Sequence, residues 1–354
     1  MDFFTRSQAV KTKITELFGI QYPILLSGMS WISTPKMVAA VSNAGGLGIL
    51  ATGALGAEET RKAIREIRTM TDKPFGANAS LLFPGAMENA KILLDEKVPV
   101  INFALGKGDW IVKRAHEYGG KVVATVVNAR HALRAQDYGS DGVIATGNEA
   151  AAHGEEVTSL VLVPSLADVL TIPVIAAGGF ADGRGLAAAL ALGAEGIAMG
   201  TRLMNTKESP LHSNFKKLSL EKDVYDTIFS KRIDGIYCRV LDTDAARQQE
   251  KKGLDWISAF FSSQDIARQI KVPFFKLFLG VLASGFSNAK QLAYMANAFR
   301  FFKAATEDGD VEKGILPIGQ NTGLIHDEPT VAELFERMVA EAKAVQEKMG
   351  RQMA

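Results

Sequence analysis

Along residues 23–203, short apolar runs alternate with longer amphipathic stretches, and eight runs stand out: 23–28, 46–52, 75–82, 98–105, 121–127, 142–147, 173–179 and 196–203. Each is near-continuously apolar rather than alternating, the pattern of parallel strands buried on both faces. The gaps read as helices. Thr34-Pro35 puts a hydroxyl N-cap before a proline at the first helical position, and Ala57-Glu58-Glu59 opens another helix. Asp182-Gly183-Arg184 leads into a small-residue helix over 185–192 that Gly193 ends. Eight strand-helix units of about 25 residues predict an α/β fold, the (β/α)8 or TIM barrel. The alternative is a doubly wound open sheet, which would show fewer strands and one glycine fingerprint after the first.

Beyond residue 203 the pattern changes. Residues 204–312 hold no convincing strand and read as charge-rich helices, a mostly helical domain inserted into a barrel made of 1–203 and 313–354. Phe260, Phe261, Phe274, Phe275, Phe278, Phe299, Phe301 and Phe302 concentrate there. They form either that domain's core or an apolar wall over the barrel mouth, with Phe274 to Phe278 the expected cover. An amphipathic helix from 328 to about 349 would return to the barrel as its eighth.

Composition narrows the function. The 354 residues are 47% apolar, enough for a large core, and 40 basic against 39 acidic residues leave a net charge of +1, which argues against nucleic acid as a partner. The single cysteine, Cys238, excludes an intrachain disulfide. The first residues lack the apolar core of a secretory signal, so a cytoplasmic location is expected. The longest apolar stretch, 272–286, is interrupted by Lys276 and falls short of the roughly 20 residues that span a bilayer. No histidine or cysteine cluster has metal-ligand spacing, so no metal is expected. His116, His131 and His212 read as surface residues.

In a barrel the chemistry sits at the carboxyl ends of the strands. The seventh run ends Ala177-Gly178-Gly179 and the eighth ends Gly200-Thr201. Backbone N–H groups at these neighbouring ends, with the Thr201 hydroxyl, make a phosphate cradle. Gly28, Met29, Asn78 and Thr125 end other runs, where they would meet a planar ring across the mouth; Asn78 reads equally as a turn cap. His153 follows the sixth strand among small residues, as a candidate acid or base.

The strand "PVIAAG" followed by "GFADGRGLAAALALGAEGIAMGTRLM", with "GNEAAAHGEE" upstream, resembles the nitronate monooxygenase (2-nitropropane dioxygenase) family. The resemblance runs from "FGIQYPILLSGMSWISTPKMVAAVSNAGGLGIL" to "IGQNTGLIHDEP" and omits only about 204–310. It implies FMN as cofactor. Gly178, Gly179, Gly200 and Thr201 would hold the phosphate, Gly28, Met29 and Asn78 the ring, Gly319 and Gln320 a late contact, and His153 would be the catalytic histidine. Two departures stand out. Ala151-Ala152 replaces the usual pair of glycines before the histidine, and Thr125 stands where the NAD(P)H:quinone reductase branch has lysine. The implied reaction is oxidation of an alkyl nitronate by O2 to a carbonyl compound and nitrite. Alternatives are reduction of a quinone or an enoyl thioester by NAD(P)H, or a flavin-free barrel that only binds a phosphate ligand. The oligomeric state is open, a homodimer among the options.

Overall fold

The computed structural model describes residues 10–82, 85–151, 153–269, 273–275 and 285–354. Every apolar run contains a strand: β1 Ile24–Leu26, β2 Gly48–Leu50, β3 Phe75–Ser80, β4 Val100–Ala104, β5 Lys121–Val126, β6 Gly142–Thr146, β7 Val174–Ala177 and β8 Gly196–Met199. They pair in parallel in the order β1-β8-β7-β6-β5-β4-β3-β2. The ring closes between β1 and the start of β2, where Leu26 N–H donates to Leu47 O at 2.9 Å and Leu47 N–H donates to Ile24 O at 3.0 Å. Leu25, Ile49, Val123, Ile144 and Ile175 fill the interior, joined by Ile14 and Phe18 from the helix Lys13–Phe18. That helix, with its Thr12–Thr15 capping box and Gly19 at φ +66°, supplies two plugs that the strand pattern did not reveal.

The helices start where expected, although the Thr34 hydroxyl makes no cap hydrogen bond among the described residues. Thr34 and Pro35 begin Pro35–Asn43, and the Glu59 carboxylate accepts from Gly56 N–H at 2.8 Å where Ala57–Met70 begins. Asp182 caps Gly183–Ala191 by accepting from Gly185 N–H at 3.1 Å. The expected eighth helix is Val331–Met353, opened by a Thr330–Glu333 capping box. It lies so close to Gly183–Ala191 that a Cβ on Gly183 would collide with the Met338 carbonyl. Instead Gly183 N–H donates to the Glu341 carboxylate at 2.8 Å. Phe335 is fully buried there, edge-on to Tyr22 with ring centroids 6.3 Å apart.

Residues 204–312 are mostly helical, with Ser213–Leu220, Asp244–Lys252, Trp256–Gln269 and Phe286–Lys303 among their elements. The expectation that they hold no strand is corrected. β9 Thr227–Ser230 and β10 Cys238–Leu241 form an antiparallel hairpin, and Leu241 N–H extends the pairing to Leu316 O at 2.8 Å. A four-residue strand with a charge at Arg239 escapes an apolar-run criterion. Residues 204–312 pack directly on the barrel, because Met204, Phe215 and Leu241 share one buried cluster with Ile32 and Leu316. Among the described helices none is long and apolar enough to cross a membrane.

Phe335 ties the last helix to the barrel, so Phe335→Ala is expected to lower unfolding free energy by about 3 to 5 kcal/mol, the usual cost of emptying such a site. Denaturant titration checks this. Met349→Ala on the exposed end of the same helix should stay within about 0.5 kcal/mol of the parent.

Candidate active site

At the carboxyl ends of the strands a cavity of about 970 Å³ opens between barrel and insertion. On the β7–β8 side it is lined by Ala177, Gly178, Gly179, Gly200 and Thr201, none of which carries a charge. Gly178 and Gly179 lie at φ +105° and +84°, a left-handed backbone that side-chain-bearing residues rarely adopt. A Cβ on Gly178 would stand 3.0 Å from Ser159 Oγ, and one on Gly200 would stand 3.2 Å from Met29 Sδ. Backbone forms this wall, with side chains disfavoured at Gly178 and Gly179 by their left-handed φ. An FMN phosphate matches such a donor set, so the residues present fit the group that the family resemblance implies.

The cradle is braced from behind. Gly319 N–H donates to Thr201 Oγ1 at 2.9 Å, and Gln320 N–H donates to Glu149 O at 2.9 Å. Gly319 and Gln320 thus stitch the β8 end to the loop after β6, and neither lines the cavity, although Asn321 beside them does. Arg202, the next residue after Thr201, is buried and donates to the Asp327 carboxylate at 3.0 Å and to its carbonyl at 2.9 Å. Burial pulls its guanidinium below the usual range against the opposing pull of Asp327.

The floor is a hydrogen-bonded grid. Asn78 on β3 lines the cavity and also braces two neighbouring loops, donating to Gly28 O at 3.2 Å and accepting from Thr52 N–H at 3.0 Å. A Cβ on Gly28 would collide with this amide. Met29 N–H donates to Ser33 Oγ at 2.9 Å, which fixes the turn after β1. Thr125 on β5 accepts at 3.0 Å from Asn102, a buried amide on β4 that the strand pattern concealed among apolar neighbours.

His153 lies on the loop after β6, and its Nε2 is 2.6 Å from Asp234 Oδ2. Asp234 is nearly buried, in the turn between β9 and β10. The pair leaves Nδ1 without a hydrogen-bond partner among the described residues. Two further contacts hold turn and loop together. Arg239 on β10 donates to Asn148 O at 3.0 Å and to Asn148 Oδ1 at 2.7 Å, and the Tyr237 hydroxyl donates to Glu156 at 3.2 Å. Burial lowers the Arg239 guanidinium from its usual range, while the Glu149 charge opposes that shift. Cys238 is also buried here, and burial, then the Asp234 charge, raises its thiol well above the ordinary value. That keeps it protonated and poorly suited as a nucleophile.

Two ends of the cavity differ in character. Against the helix Phe286–Lys303 it is apolar, lined by Trp31, Met295, Ala298, Phe299 and Phe302, while the β9–β10 turn adds Lys231, Asp234 and Tyr237. Trp31 sits at φ +63°, stacks edge-on against Phe299 at 4.7 Å, and buries an indole N–H that has no partner among the described residues. Strain of this kind gathers at functional sites. Of the phenylalanines expected over the mouth, Phe299 and Phe302 line it, whereas Phe274 and Phe275 do not reach it and Phe275 is 76% exposed. Phe278 and Ala152 lie outside the described residues. The other end carries Lys107, His131, Arg134 and Tyr138, so His131 belongs to the cavity rim rather than to the remote surface expected from its position in a helix.

The nitronate monooxygenase family model matches residues 11–93 and 87–341. A protein of Rhodococcus jostii (strain RHA1) named (3aS,4S,5R,7aS)-5-hydroxy-7a-methyl-1-oxo-octahydro-1H-indene-4-carboxyl-CoA dehydrogenase is 37% identical over 338 residues, 94% of this chain and 96% of its own. The structure of FabK from Thermotoga maritima aligns with a TM-score of 0.82 and 37% identity, over 97% of this chain and 99% of that one. Nitroalkane oxidase from Streptomyces ansochromogenes shares the fold at 24% identity, with a TM-score of 0.75 over 95% of this chain and 99% of its own. Barrel, glycine-walled cavity and family match agree, and the chain belongs to the nitronate monooxygenase family of oxidoreductases.

Proposed function

We propose that this chain is an FMN-dependent oxidoreductase acting beside the carbonyl of an acyl thioester, with His153 as the group that handles the proton. The cavity carries this reading. At about 970 Å³ it lies at the upper end of the range for small-molecule sites, and it extends past the cradle into an apolar chamber that a small nitronate would leave unfilled. The Rhodococcus relative, named as a dehydrogenase of a bicyclic carboxyl-CoA, supports the same class of substrate. Bound FMN supplies acceptance or return of a hydride.

The chain's own residues do the rest. Gly178, Gly179, Gly200 and Thr201 would hold the flavin phosphate, and the turn Gly28-Met29 with Asn78 and Thr125 would meet the ring. Asp234 fixes the imidazole through Nε2, which turns Nδ1 to hold or remove a proton at the carbon next to the carbonyl. Trp31, Phe299 and Phe302 exclude water from the reacting carbon. A second reading, oxidation of an alkyl nitronate by O2, is favoured by the family match. There the same imidazole would, when protonated, offset the nitronate's charge, or, when neutral, take the carbon proton of a nitroalkane.

Anaerobic mixing of the purified protein with an acyl-CoA, an alkyl nitronate, NADH and NADPH separates the readings through the absorbance of bound flavin. A response to the thioester is expected, and a response to the nitronate alone would select the second reading. The protein should purify yellow with non-covalent FMN. Gly179→Asp should lose it, because a side chain is strained at φ +84° and a carboxylate repels phosphate. Full flavin occupancy in that variant, while folded, would place the cradle elsewhere. His153→Asn should retain flavin yet lower turnover by about 10² to 10⁴, the usual contribution of a positioned acid or base. Exchange of the thioester's α-proton with deuterated solvent should disappear with it; unchanged exchange would remove His153 from the chemistry.

A further inference from the structure

The cavity's other end asks for a second anion. Lys107 stands in the turn after β4, and His131, Arg134 and Tyr138 share one face of the helix Ala129–Asp137 and its C-terminal boundary, at spacings of three and four. In the closed ring β4 lies opposite β8, so this edge faces the phosphate cradle from across the mouth and is not part of it. Arg61, Arg65 and Arg68 show what a paired set of cations looks like in this chain, converging on Glu96. Among the described residues neither the Lys107 ammonium nor the Arg134 guanidinium has an ion pair. The carboxylate lining the same region, Glu155, accepts from Asn128 Nδ2 at 3.3 and 3.4 Å. Like-signed groups at the rim of a low-dielectric cleft raise the local concentration of an oppositely charged ligand.

We propose that Lys107, His131 and Arg134 form a recognition rim for the phosphates of a nucleotide-tailed substrate whose reactive end lies at His153. This rests on the reading of the chain as a thioester oxidoreductase and names where that substrate's tail leaves the cavity. The apolar chamber takes the acyl body against Trp31 and Phe299, His153 lies between, and the phosphates emerge over the β4–β5 edge. Coenzyme A thioesters and NADPH both offer the required phosphates.

Calorimetric titration of the FMN-loaded protein with coenzyme A, with pantetheine and with NADPH tests the rim without relying on turnover. The double variant Lys107→Glu, Arg134→Glu changes two exposed side chains, and its flavin content reports folding. It should weaken coenzyme A binding by about 10- to 100-fold, and added salt should weaken wild-type binding in parallel, while pantetheine binding stays unchanged. An equivalent loss confined to NADPH would also support the rim and identify the nicotinamide nucleotide as the source of the phosphates. Equal affinity of wild type and variant for both nucleotides, or no binding of either to wild type, would overturn it. Failure of the thioester reading looks different: coenzyme A and NADPH titrate as expected, but no acyl thioester changes the flavin absorbance.

Discussion

The contact between His153 and Asp234 rests on the buried guanidinium of Arg239. It donates to Asn148 through two nitrogens and to Thr227 Oγ1 through a third, at 2.9 Å, while its Cζ lies 4.9 Å from the centroid of the Phe229 ring. A charge can stay buried when its donors are satisfied and an aromatic face shares the load. The clamp locks β10 to the loop after β6, and that lock holds the β9–β10 turn against the same loop. With the Tyr237–Glu156 hydrogen bond it brings together Asp234 and His153, 81 positions apart in sequence. A planar fork is needed, so lysine at this position would not reproduce the geometry.

Much of the architecture was legible because it obeys one rule. Parallel strands covered on both faces must be apolar throughout, and all eight such runs became strands. The glycine wall of the cavity was legible for a related reason: Ala177-Gly178-Gly179 and Gly200-Thr201 stand at consecutive strand ends, where a barrel presents its backbone. The hairpin obeys no such rule. Its strands are short, one carries a buried charge, and their pairing follows from contacts with 148 and 316 that are remote in sequence. Asp234 was invisible for the same reason, since Asp-Gly between two unrecognised strands reads as an ordinary turn.

Residues that were found sometimes proved to do more than expected. Asn78 was read as ligand contact or turn cap, and it lines the cavity while tying the ends of β1 and β2 together. Gly319 and Gln320 brace the cradle from outside it. Aromatic composition misled, because abundance does not say which rings face inward. Phe299 and Phe302 share a helix face directed at the mouth, whereas Phe274 packs on Phe260 with centroids 5.4 Å apart.

The order of elements along the chain has a consequence for biosynthesis. The faces of Pro35–Asn43 and Gly183–Ala191 that Phe335 and Met338 cover must wait, during translation, until the insertion has been made. At about 5 to 20 residues per second this interval is on the order of ten seconds, long beside the collapse of a nascent chain. Throughout it an eight-stranded barrel carries an uncovered apolar seam. The length of chain between Gly183–Ala191 and Val331–Met353 sets how long that seam waits for its cover.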